Sequence, residues 1–182
     1  RGGGLNLFVK DEIRFVRFDN LKTLDGTVTY IHRLNNGAIW VGTNQGLFLG
    51  VPDSTTKSGY HFANYSNKSV FLDQQGGLLA YDRDIVSVVS VYEMSEKQLL
   101  IGTFKGLFLF KKDDLSFVQV ELGKQNNAKV NSIVADENNL IWVGTSEGLV
   151  RFTRTNNNEL KLIPQNNQPE WKQLNSGWVE RL

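Results

Sequence analysis

The stretch IWVGTNQGLFLG, residues 39–50, returns as LLIGTFKGLFLF at 99–110 and as IWVGTSEGLVRF at 141–152. A catalytic site needs one copy of its residues, so threefold repetition points to architecture before chemistry. Aligned on the second glycine of the G-T-x-x-G-L turn, Gly46, Gly106 and Gly148 lie 60 and 42 residues apart. Forty-two residues before Gly46 stands Gly4, where GLNLF matches GLFLF, so residues 1–27 read as the end of a further copy. A second landmark falls fourteen residues before the first glycine of each turn: Val28-x-x-Ile31, Val88-x-x-Val91 and Val130-x-x-Ile133. The closing VERL, Val179-x-x-Leu182, restarts it.

The basic unit is therefore about 42 residues, and it reads as four short strands. VTYIHRL is followed by an Asn-Asn-Gly turn and AIWVGT; a tight turn leads to GLFLG, and an alternating strand such as IRFVRF or SFVQV closes the unit. No window of a dozen residues carries a 3.6 period, so almost no helix is expected. A four-stranded repeat of this length predicts β-propeller blades, hence an all-β chain forming an incomplete arc of about four units. The expected division is 1–27 (end of one blade), 28–87 (a blade with an insertion near 51–69), 88–129 (a blade), 130–178 (a blade with a loop near 164–173) and 179–182 (start of the next).

The repeated letters have packing reasons. Gly46, Gly106 and Gly148 follow two-residue tips, where a positive φ is expected. Gly42, Gly102 and Gly144 end a strand, where a Cβ would collide with a neighbouring blade or spoil a bulge. Trp40 and Trp142 are apolar plates suited to the wedge between blades, each with an indole N–H that needs a partner, while Leu100 takes that place in the middle copy.

Composition narrows the function. The 182 residues carry 20 basic and 19 acidic side chains, and a net charge of +1 leaves no footprint for nucleic acid. The absence of cysteine excludes disulfides, thiolate metal sites and cysteine nucleophiles. No apolar run approaches the ~18–20 residues of a membrane span, and RGGGLNLFVK is no signal peptide. No G-x-S-x-G, triad or cofactor signature is present, so no enzyme, metal or cofactor is expected of this region.

IWVGTNQGLFLG, IWVGTSEGLVRF and the opening RGGGLNLF resemble the two-component-regulator propeller repeat. The resemblance covers most of the chain outside 51–69 and 164–173. It implies an arc of a seven-bladed propeller in the periplasmic sensor half of a hybrid two-component histidine kinase of Bacteroidetes, itself part of an inner-membrane protein. It further implies an oligosaccharide ligand, a homodimer in the intact receptor, and membrane contact only through segments outside this chain. The alternative is a non-catalytic propeller scaffold for protein–protein interaction or receptor dimerisation.

Candidate ligand-binding residues come from loop position. The connection between blades lies on the face where propellers usually bind ligands, which places Tyr81, Arg83 and Asp84 on that rim together with Asp82. Arg and carboxylates there are able to hydrogen-bond sugar hydroxyls or an acidic sugar. The equivalent later connection holds Glu170 and Trp171. The tip Phe104-Lys105 adds an exposed aromatic and a cation. Tyr60, His61, Phe62 and Tyr65 form an aromatic cluster in the insertion, suited either to stacking on a sugar or to a small local core. His32 reads as structural, and DENN at 136–139 as a hairpin turn rather than a calcium loop, since the later Gly and distal Glu are missing.

Overall fold

The structure is a computed structural model that describes residues 5–9, 14–17, 27–80, 82–157 and 159–164. Strands β1 (Asn6–Val9) and β2 (Arg14–Arg17) pair antiparallel. Then come β3 (Val28–Arg33), β4 (Ile39–Thr43), β5 (Gly46–Pro52) and β6 (Tyr60–Asn64), a four-stranded antiparallel meander. A short β7 (Val70–Leu72) and one helical turn, α1 (Arg83–Val86), lead to β8 (Val88–Ser95), β9 (Gln98–Thr103), β10 (Gly106–Lys111) and β11 (Ser116–Val120). The third meander is β12 (Val130–Ala135), β13 (Leu140–Thr145), β14 (Gly148–Arg154) and β15 (Leu160–Leu162). The expected all-β propeller blades are borne out, and α1 is the only α-helical turn among the described residues.

The continuous apolar runs follow from burial on both faces. Successive side chains of a strand point to opposite faces. Along β4, Trp40 enters the core shared with the following sheet, while Val41 joins Leu5 and Phe48 on the other side. Along β9, Leu99 and Ile101 face back into the first core and Leu100 faces forward into the next, with Met94, Val130 and Ile133. A strand sandwiched between two sheets needs apolar residues at every position, which is why GLFLF does not alternate. The first strand β8 touches both β3 and β12, so consecutive sheets meet through their innermost strands.

The glycines do what the repeat demands. Gly46, Gly106 and Gly148 adopt φ of 129°, 119° and 131°, a region that L side chains avoid. Gly42 and Gly102 face the first valine of the following sheet, with no room for a Cβ.

One expectation needs correction. Within the stretch 51–69 assigned to an insertion, Tyr60–Asn64 is the regular fourth strand of its sheet, pairing Tyr60 with Pro52 and Asn64 with Phe48. Composition rich in Ser, Thr and Asn hid a five-residue strand in which His61 is exposed between half-buried Tyr60 and Phe62. The extra residues lie in the 53–59 loop and, chiefly, in 65–87, where the other described connection between sheets needs only 121–129. There β7 crosses to the next sheet and pairs parallel with β11, from Ser116↔Val70 to Val118↔Leu72. This covers part of an outer edge that would otherwise present unpaired backbone groups. The 164–173 loop beyond Pro164 and the restart at 179–182 fall outside the described residues.

A candidate ligand cleft at the strand-tip end

The tips Asn44-Gln45, Phe104-Lys105 and Ser146-Glu147 share a clasp built by the threonine of G-T-x-x-G. Thr43 Oγ1 accepts the Gln45 N–H at 2.9 Å and donates to the Gly46 carbonyl at 3.1 Å. Thr103 does the same with Lys105 at 3.1 Å and Gly106 at 3.0 Å. Thr145 accepts from Glu147 at 3.0 Å, and its hydroxyl lies 2.9 Å from the Gly148 carbonyl and 2.7 Å from Gln125 Oε1. All three threonines are buried. The clasp fixes the backbone and leaves the two tip side chains free to differ, a role that sequence reading had not given the threonine.

Beside the middle tip is a cleft of about 520 Å³, lined by Leu79, Ala80, Asp82, Ile85, Lys105, Phe108, Gln119 and Asn127. Leu79, Ile85 and Phe108 contribute apolar surface, while Gln119 and Asn127 contribute amides. Lys105 Nζ donates to Asp82 Oδ2, an ion pair that ties the tip to the connecting segment. Phe104, 44% exposed, carries the Lys129 ammonium 4.8 Å above its ring centroid. The neighbouring loop is fixed by Asn126, whose Oδ1 accepts the Leu122 N–H at 2.6 Å and whose carbonyl accepts from Gln119 Nε2 at 3.4 Å.

Of the residues expected from sequence, the structure brings Lys105 into this cleft and Phe104 beside it, with Asp82 as an ionic partner of Lys105. Arg83 and Asp84 belong to the backbone of α1, which borders the cleft through Ile85. Tyr81, Glu170 and Trp171 lie outside the described residues. Lys129, Gln119 and the apolar floor were missed. Lys129 had a signal, since it immediately precedes the Val130 landmark at the same end of the sheets.

The other candidates resolve into structure. Tyr60 and Phe62 pack with Val41 and Phe48, and the Tyr60 hydroxyl donates to the Gly37 carbonyl at 3.1 Å. Tyr65 lies edge-on to Trp40 and Phe110, with centroids at 5.3 and 5.9 Å. His32 stacks on Tyr30. Asp136 spends its carboxylate on its own turn, accepting from Asn138 N–H at 2.8 Å, Leu140 N–H at 3.1 Å and Trp142 Nε1 at 2.8 Å. Among the described residues no group of His, Asp or Glu has the arrangement of a metal site.

Residues 123–147, which hold the Gln125 loop and the third tip, match the sequence model of the family described as two component regulator propeller. That one stretch is similar to a two-component-regulator propeller repeat. Solved structures similar to it include the extracellular domain of a protein described as a hybrid two component system, BT4673, from B. thetaiotaomicron. That likeness has 21% identity and a TM-score of 0.65 over 98% of this chain and 22% of that one. The extracellular domain of a second such protein, BT3049, matches with 24% identity and a TM-score of 0.57 over 87% of this chain and 20% of that one. PorZ, a surface component of the type-IX secretion system of Porphyromonas gingivalis, matches with 17% identity and a TM-score of 0.59 over 90% of this chain and 25% of its own. The chain thus spans about a fifth to a quarter of the structures it resembles, and the likeness is one of propeller fold. No curated protein sequence matches it.

Proposed function

We propose that this arc belongs to the extracytoplasmic, ligand-sensing propeller of a hybrid two-component histidine kinase, in the periplasm and attached to the inner membrane through other segments. The cleft beside Lys105 carries the reading: apolar floor, amides and an ion pair stand next to the half-open Phe104 face. Sugars offer apolar ring faces for aromatic stacking and hydroxyls for charged and amide groups, so an oligosaccharide is the ligand class that fits. Similarity to extracellular domains described as two component systems supports the location and the sensing role. Dimerisation of the intact receptor would carry the signal.

The test is a thermal-shift screen of the complete extracytoplasmic domain against purified plant and host oligosaccharides. A ligand at ~100 times its dissociation constant stabilises the folded state by ~2.7 kcal/mol. One responding glycan class supports sensing, and its response should fall at least tenfold in affinity in Phe104→Ala and Lys105→Ala. A folded domain with no response across the panel favours a second reading, a scaffold that binds protein. That reading draws on the similarity to PorZ, a surface component of a secretion system.

A further inference from the structure

At the opposite strand ends from the tips, the first two four-stranded meanders enclose a second hollow of about 330 Å³. Its walls include Trp40, Tyr65, Leu34, Leu49, Leu115 and Lys112. Trp40 is 1% exposed, and its indole Nε1 has no acceptor among the described residues. A buried donor left unpaired is costly, and native structures rarely keep one without a partner.

The repeat shows what is missing. Trp142 stands at the equivalent place in the third meander and gives its N–H to Asp136 at 2.8 Å. The turn that carries Asp136 has the same backbone as the turn before Trp40. Leu34 N–H donates to Ala38 at 2.7 Å, as Asp136 N–H does to Leu140 at 2.9 Å. Gly37 N–H returns to Leu34 at 3.0 Å, as Asn139 N–H does to Asp136 at 3.1 Å. Gly37 and Asn139 both have positive φ. Leu34 therefore occupies the position of the acceptor, removing the carboxylate and lining the hollow with a hydrocarbon instead.

Two polar atoms of the wall are already engaged. Lys112 holds its ammonium 5.5 Å from the Trp40 ring centroid and pairs with Glu93 at 3.1 Å. Asn36 Oδ1 accepts the Ala38 N–H at 3.0 Å. An ionic guest would need a counter-charge that this neutral pair does not offer, and its desolvation would go uncompensated. We propose that the hollow binds an uncharged, mainly apolar small molecule carrying one acceptor oxygen, which receives the Trp40 N–H.

The test uses the full chain, ¹⁵N-labelled at tryptophan, with the Trp40 indole resonance assigned through its ring contacts to Tyr65 and Phe110. Cyclohexanone is titrated in, with methylcyclohexane as the same hydrocarbon body without the oxygen. The expected result is a saturable shift of the Trp40 N–H with cyclohexanone, none with methylcyclohexane, and no change at Trp142. Leu34→Asp rebuilds the Asp136 arrangement and should abolish the shift. Leu34→Asn offers an uncharged acceptor and serves where the aspartate variant does not fold. No saturable shift, an equal response to both compounds, or an unchanged response in the folded Leu34 variant would each overturn the proposal, the first pointing to a bound water as the acceptor.

Discussion

Gly42 lies against Val88 so closely that a Cβ on the glycine would stand 2.7 Å from Val88 Cγ1. The next seam repeats the relation, with a Cβ on Gly102 falling 2.6 Å from Val130 Cγ1 and 2.3 Å from Ser90 Oγ. Each sheet therefore abuts the next through a glycine facing a landmark valine. Gly102→Ala should destabilise the fold by ~1–3 kcal/mol, the usual cost of overpacking. Urea denaturation of Gly102→Ala, Val130→Ala and Gly102→Ala/Val130→Ala measures it. The double variant should recover part of the loss, because removing the valine branches makes room for the added methyl; strict additivity would mean that the seam is not the cause.

The threonine clasp makes a second claim. Thr103→Val keeps shape and volume but removes an acceptor for Lys105 N–H and a donor to the Gly106 carbonyl. With the site buried, a loss of ~1–3 kcal/mol is expected from the orphaned backbone groups. Hydrogen exchange of the Lys105 amide should accelerate in the variant while amides of β12 and β13 keep their protection.

A pH effect is expected at Asp136. The Trp142 N–H it accepts, aided by the backbone N–H groups of Leu140 and Asn138, holds its carboxyl below the ordinary carboxylate value, against the opposing pull of desolvation. Because the folded pKa is depressed, the contribution is fully present above the unfolded value of about 4 and is lost as pH falls through the lower folded value. The Trp142 indole N–H resonance, followed from pH 6 downward, should move with a midpoint below that of an unstructured aspartate. An unchanged midpoint would contradict the bond.

Much of the fold was legible because its rules are local. The 42-residue period, the glycine after each tip and the apolar run through IWVGT each follow from a few neighbouring residues. The long-range features were harder to read. Nothing near Val70 announces that it pairs with Ser116, and Lys105 meets Asp82 only because two separate segments converge. Loop position found Lys105 and Phe104, whereas Gln119 and Lys129 depend on how β11 and the 121–129 connection fold over the tip. The empty place opposite Trp40 was visible in principle, since Leu34 and Asp136 align in the repeat, but only the burial of the indole shows that the difference matters.

In a chain of stacked repeats each unit ordinarily touches only its neighbours, and stability is close to a sum of unit and interface terms. Strand β7 breaks that independence. It is encoded before the second unit's landmark at Val88, yet it completes the outer edge of that unit's sheet. A cut at Val88 would strip the second sheet of a strand that the first unit's connection supplies. The two units should therefore melt as one cooperative block, and neither can be copied or deleted alone along the boundary that the sequence period suggests.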